Sequence, residues 1–383
     1  MTLDRRGFLG AATLFTASPV HFAQAAIATE RRFIFIIQRG AADGLNTVIP
    51  TAEPAYASLR GALAVDAASA LKLDGSFALH PALAKLHALH GAGQARFFHA
   101  VASAYRDRSH FDGQNVLETG GAAPYRVKDG WMNRLLGLLP RSGKQAIAFS
   151  PAVPMALRGP AEVTTYAPSA LPQASDELMQ RVEQLYAKDS QLHALWSSAL
   201  EARGMAGDMG GGERRQAPAA LGRMAAGFLA REDGPRIAMI ETGGWDTHSG
   251  QNARLANQLK GLDELVGGLQ DGLGAAWPHT VVLVATEFGR TVAANGTGGT
   301  DHGTAAAAML VGGAVRGGRV VADWPGLAPA DLHEGRDLKP TLALEGLVAA
   351  ACAETFRLDP ERTVRTLFPE APRERTPQGL LRA

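Results

Sequence analysis

Two short apolar runs set the pattern of the chain, 236–240 (Arg-Ile-Ala-Met-Ile) and 280–286 (Thr-Val-Val-Leu-Val-Ala-Thr). Both are aliphatic or β-branched and of the length of a strand buried on two faces in a parallel sheet. Between them Leu255, Leu259, Leu262, Leu265, Val266 and Leu269 recur at helical spacing, which predicts an amphipathic crossover helix over 251–272. An earlier run, 31–38, reads as the central strand, and 95–101 and 307–313 as two more. Helices are predicted at 53–63, at 81–91 with Pro81 in the first turn, through Leu117, from Trp131, and from Pro340 to Ala353. Strand, loop, helix, strand is the unit of an open α/β sheet, and no internal repeat or coiled-coil heptad interrupts it.

Composition narrows this picture. With 383 residues, 46% of them apolar, the chain can bury a large core as one α/β domain or two smaller ones. Its 38 Lys and Arg balance 37 Asp and Glu, so no basic field attracts nucleic acid. The single cysteine, Cys352, excludes an internal disulfide and a cysteine-rich metal site, and its apolar neighbours give it a core role. At the amino terminus Arg5 and Arg6 precede an apolar run over 8–22 and then Ala23-Gln24-Ala25. Segment 1–28 thus resembles a twin-arginine export signal, read by the twin-arginine translocase and then removed. The run is too short and too polar for a permanent membrane anchor. A periplasmic or secreted protein is expected, folded and loaded with metal before export. Residues 29–383 are read as a single domain carrying a cap-like insertion at about 150–235. There Pro151, Pro154, Pro160, Pro168 and Pro172 break structure, a mostly polar helix follows from Asp176, and glycines over 204–212 form a joint.

In an open α/β sheet the carboxyl ends of the strands face one crevice, so strand-end loops far apart in sequence deliver side chains to one place. The first such loop is Gly243-Gly244-Trp245-Asp246-Thr247-His248. After the next strand come Glu287-Phe288-Gly289-Arg290-Thr291 and then Gly299-Thr300-Asp301-His302-Gly303. Asp43, in Arg39-Gly40-Ala41-Ala42-Asp43-Gly44, ends the central strand and reads either as a sixth ligand or as a turn residue. Carboxylates and imidazoles in this pattern suit hard or borderline divalent cations, with Zn, Mn, Mg and Ca not distinguished. The metal candidates are therefore Asp43, Asp246, His248, Glu287, Asp301 and His302. Ser109, at a strand-to-helix junction in Ser109-His110-Phe111-Asp112, reads equally as a metal-activated nucleophile or a plain helix cap. Arg134 reads as an anion clamp or a surface charge. A serine hydrolase built on Ser109 and His110 is disfavoured, because adjacent residues seldom orient as nucleophile and base and no Gly-x-Ser-x-Gly elbow is present.

These motifs, with Gly130-Trp131-Met132-Asn133-Arg134, resemble the bacterial family known as domain of unknown function 1501 over nearly the whole chain after the signal. The resemblance implies an α/β/α sandwich with a mostly parallel central sheet, of the alkaline phosphatase-like or sulfatase-like superfamily. It also implies one or two divalent cations held by Asp43, Asp246 with His248, Glu287 and His302, with Ser109 as nucleophile and Asp301-His302 supplying an Asp-His pair from a later loop. The activity expected is hydrolysis of phosphate or sulfate monoesters, small-molecule or glycan, by two cations about 4 Å apart. The alternative is a secreted binding or assembly protein that keeps the fold without turnover. By resemblance, another exported protein is a candidate partner.

Overall fold

The computed structural model describes residues 30–140, 145–167, 176–186, 189, 191–197, 217–371 and 376–382. The expected signal segment 1–28 and the glycine joint 204–212 lie outside the described residues. In chain order the strands are β1 (Arg32–Gln38), β2 (Val48–Ile49), β3 (Leu71–Lys72), β4 (Ala78–Leu79), β5 (Ala95–Ala102), β6 (Ala146–Phe149), β7 (Thr164–Thr165), β8 (Ile237–Thr242), β9 (Thr280–Thr286), β10 (Ala306–Val311), β11 (Arg319–Val321) and β12 (Leu342–Ala343). The large sheet runs β11-β5-β10-β9-β1-β8-β6-β7, with β12 beside β5, and β2, β4 and β3 form a small separate sheet. β1 pairs in parallel with β8 and β9, as β6 does with β7 and β8. β10 runs antiparallel to both its neighbours, β9 and β5. The fold is mixed α/β with a mostly parallel central sheet.

Alternation along β1 builds both faces of the sandwich. Ile34 and Ile36 point into one apolar cluster with Leu255, Leu259, Leu262 and Leu269 of the helix Gln251–Leu273. Phe33, Phe35 and Ile37 point into the other, against Trp131 and the helix Leu344–Phe356. Successive strand residues face opposite ways, so a strand apolar at every position needs cover on both sides. Phe35 meets Trp131 edge-on at 5.3 Å.

Parts of the stretch 150–235, expected as a cap, lie in the sandwich itself. β6 and β7 extend the sheet edge, and the helix Pro218–Ala230 belongs to the sandwich, burying Met224, Phe228 and Leu229. That helix lies so close to Gln251–Leu273 that a Cβ on Gly268 would sit 2.2 Å from the Ala219 carbonyl oxygen. Only glycine permits this approach. The last core helix starts at Leu344 rather than at Pro340, because Leu342 and Ala343 pair with Val101 and Ala102.

β5 is buried throughout and carries one imidazole in its interior. His99 accepts from the Ala100 N–H at Nδ1 (2.8 Å) and donates from Nε2 to the Val48 carbonyl at 2.9 Å, which fixes a neutral ring. Burial pushes its pKa down to about 4. The unfolded chain therefore takes up this proton near pH 6.5, before the folded chain does, and stability falls as pH drops from 6.5 towards 4, with no contribution above that window. The expected loss from this group is about 2 kcal/mol by pH 5. Urea unfolding of wild type and His99→Gln at pH 7.5 and pH 5 measures it, and the variant should lose correspondingly less stability on acidification.

Candidate metal centre

The site is assembled from three strand ends and the entry to β10. Because β10 runs against β9, its beginning lies at the edge where the parallel strands finish. The loop 287–305 folds back on itself there: Gly289 and Gly303 N–H groups bond to Thr304 and Gly289 carbonyls at 2.8 Å, and Arg290 bridges to His302. Asp301 and His302 thus reach the crevice that receives Asp246 and His248 from the end of β8.

Glu287, directly after β9, is fully buried. Four donors meet its carboxylate: the Gly40 N–H at 2.8 Å, His110 Nδ1 at 2.9 Å, Gln114 Nε2 at 3.1 Å and Thr286 Oγ1 at 2.9 Å. Burial works to raise its pKa, but the bonds from His110, Gln114 and the backbone outweigh it and hold Glu287 below the usual range. Gly40 sits at φ 119°, and a Cβ there would lie 2.6 Å from the Asp246 nitrogen, so glycine at this turn is needed for two strand-end loops to touch.

Each of three imidazoles has its Nδ1 beside an acceptor that carries no hydrogen. His110 Nδ1 faces Glu287, His302 Nδ1 faces the Arg108 carbonyl at 2.8 Å, and His248 Nδ1 faces Asp301 Oδ1 at 3.1 Å. Nδ1 therefore holds the hydrogen in each ring, and Nε2 presents a lone pair when the ring is neutral. All three Nε2 atoms turn to Asp246: His248 at 3.0 Å, His302 at 3.3 Å, and His110 at 3.5 Å. His248 and His302 Nε2 stand 3.0 Å apart, a separation two lone pairs do not tolerate without a proton or cation between them. His110 Nε2 is buried with no hydrogen-bond partner. Ligand atoms of His110, Asp246 and His302 all lie within 4.8 Å of one another, a group that could hold a metal ion. These residues fit a cation: an orphaned imidazole nitrogen, two facing nitrogens and a carboxylate converge, and each ring is oriented from behind.

The charges around the cluster pull the rings apart. The Glu287 bond raises the His110 pKa against the effect of burial, while burial, joined by the charges of His110 and Arg290, lowers that of His302. Burial would raise the Asp246 pKa, but Arg290, whose Nη1 lies 2.7 Å away, outweighs it and keeps Asp246 ionised. Arg290 is itself buried and held by Thr300 through Nε at 3.1 Å. Phe288 forms an apolar wall, stacked on His110 at 5.1 Å between ring centres.

The sequence model of the family described as "Protein of unknown function (DUF1501)" matches residues 30–368. The chain belongs to that family. No curated protein matches it. This DUF1501 chain is also similar to the crystal structure of Ps i-CgsB in complex with k-i-k-neocarrahexaose, at 13% identity and a TM-score of 0.44, covering 88% of this chain and 75% of that one. Similar too is the lipoteichoic acid synthase LtaP from Listeria monocytogenes, at 12% identity and a TM-score of 0.38, covering 79% and 68%. Alkaline phosphatase from the Antarctic bacterium TAB5 follows at 10% identity and a TM-score of 0.36, covering 90% and 100%.

Of the six residues expected to hold metal in this DUF1501 chain, the structure brings Asp246, His248 and His302 together. Glu287 and Asp301 stand behind imidazoles, orienting His110 and His248. Asp43 does not join them: it is buried against Arg60, Gln251 and the Asn46 N–H. Ser109 caps the helix His110–Thr119, but its side chain makes no capping bond. Arg134 is no anion clamp, since it is committed to Asp129 and to the carbonyls of Thr119, Thr366 and Leu367. The candidate ligand missed by sequence reading is His110, although it stands at a strand-end junction inside a motif already singled out. Replacing Glu287 by Gln should bring the His110 pKa down in the metal-free protein, read by NMR titration. The same variant should weaken divalent-cation binding roughly 10- to 100-fold, read by calorimetry.

Proposed function

We propose that this chain is a metal-dependent hydrolase of phosphate or sulfate monoesters, exported by the twin-arginine pathway to the periplasm or beyond. The observation that carries the metal reading is the convergence of three imidazole Nε2 atoms, each ring fixed at Nδ1, on the one carboxylate of Asp246. Nitrogen-rich donors with one carboxylate suit a borderline first-row divalent ion such as Zn²⁺. Such a cation, when bound, polarises the ester oxygens and lowers the pKa of a hydroxyl or water beside it. The preference for phosphate or sulfate esters, small-molecule or glycan, rests on the motif resemblance, and export rests on Arg5-Arg6 with the apolar run that follows.

The chain's own residues have separable tasks in this reading. Ser109, beside His110 and free of a capping bond, is the nucleophile. Its oxygen bonds to phosphorus or sulfur as the bond to the alcohol oxygen breaks, the alcohol leaves with a proton, and water then releases the serine ester. Arg290 keeps Asp246 ionised, and Phe288 excludes water from one side.

Metal analysis of the protein, with turnover of a panel of phosphate and sulfate monoesters, tests the reading. Asp246→Ala should lose the cation and about 10³-fold in kcat/KM. Ser109→Ala should keep the cation and lose turnover. Full activity in chelator-treated protein would refute the assignment.

A further inference from the structure

We infer that the centre takes a single cation, and that the buried Arg60 guanidinium occupies Asp43, the carboxylate that a second cation would need. This rests on the metal-dependent reading above and departs from the two-cation mechanism expected from the family resemblance. In that plan Asp43, at the end of β1, is a ligand of one of the two ions. Here Asp43 has no acceptor position to give. Its Oδ1 accepts from Arg60 Nη2 at 3.0 Å and the Asn46 N–H at 3.1 Å, and its Oδ2 from Arg60 Nη1 at 2.5 Å and Gln251 Nε2 at 2.5 Å. A carboxylate offers about four lone-pair positions, and these donors use them all. Both partners are sealed from water, with Asp43 1% and Arg60 0% exposed.

Of the other carboxylates, Glu287 is buried and fully engaged, while the Asp301 side chain is 56% exposed and engaged through one oxygen. Glu287 holds His110, and Asp301 Oδ1 is shared by His248 and Asn295. Among the described residues, His110, Asp246 and His302 form a group close enough to hold a metal ion, and His248 adjoins the same group through Asp246 and His302. The Asp43 pair is joined to this group by a buried chain of hydrogen bonds. Gln251 Oε1 accepts from Thr247 at 3.0 Å and Thr300 at 2.6 Å, and the Thr300 hydroxyl accepts from Arg290, which bonds Asp246. Arg60 is therefore a positioning residue: it fixes Gln251 through Asp43, and Gln251 ties together, through Thr247 and Thr300, the two loops that carry Asp246 and Arg290.

The stoichiometry of Zn²⁺ bound to the folded protein, by dialysis and elemental analysis, decides the matter. Wild type should bind one ion per chain, and the neutral pair Asp43→Asn with Arg60→Met should still bind one, while Asp246→Ala binds none. Two ions in wild type, with one lost in the Asp43→Asn, Arg60→Met variant, would overturn the inference and leave the hydrolase reading standing. No ion in wild type would overturn both. If the double variant does not fold, the wild-type count alone gives the answer, because it needs neither turnover nor a variant.

Discussion

The buried carboxylate of Glu287 is the point on which the site depends. An ionised group taken wholly out of water is costly, and it persists here because donors from the end of β1, from the helix His110–Thr119 and from β9 itself replace its hydration. Those donors cannot all reach it unless the three segments lie in register, so satisfying the charge also aligns the crevice. Orientation of His110 follows from the same bond. With Nδ1 bound to Glu287, the other nitrogen is aimed at Asp246 and has nothing else to bond.

Topology supplies the remaining donors. A wholly parallel sheet would start β10 at the far edge and carry 301–302 away from Asp246. The reversal of β10 places them at the crevice, and the tight pairing of Gly289 with Thr304 keeps the excursion compact. This explains which parts of the site could be read in the sequence. Asp246, His248 and His302 were legible because they sit in glycine-bearing loops beside apolar runs, and strand polarity does the rest. His110 was obscured by its neighbour: a serine before a helical run reads as a cap or nucleophile, and nothing local says that the next residue's ring will meet a glutamate 177 positions away. The Asp43 pairing was illegible for a similar reason. Arg60 lies in a short helix whose pattern gives a surface reading, and only the tertiary fold places it 2.5 Å from Asp43. The sheet and its two helical layers were more accessible, since unbroken apolar runs and a helical leucine stripe encode them directly.

The two aspartate–arginine pairs in this region have different characters. Asp43 and Arg60 are both sealed, and removing one partner of such a pair costs about 3–5 kcal/mol because the other is left as a bare charge in the interior. Asp246 and Arg290 are unequal: the arginine is buried while the aspartate side chain is 41% exposed. A sealed pair serves the architecture, whereas a half-open one keeps a carboxylate ionised and still approachable. The fold uses the first to hold Gln251 and, through it, the geometry of the second.

Counting only groups whose atoms touch the centre, Glu287, Asp246 and Asp301 face a single guanidinium, that of Arg290. Two negative charges are left over. In the metal-free protein this excess is felt by the imidazoles, and the response is uneven: His110, bonded to Glu287, is the ring whose pKa rises, while His302, bonded to a neutral carbonyl, is held down. A proton on His110 points its second N–H at Asp246 from 3.5 Å, too far for a good hydrogen bond. Protonation thus relieves the charge without satisfying the geometry. One divalent cation relieves both, since it cancels the excess and accepts the lone pairs that no donor meets. Its binding must displace whatever protons the imidazoles hold, so acid should compete with the metal at this site. A second divalent ion would leave the same group with two positive charges in excess, which the carboxylates in contact with it cannot neutralise.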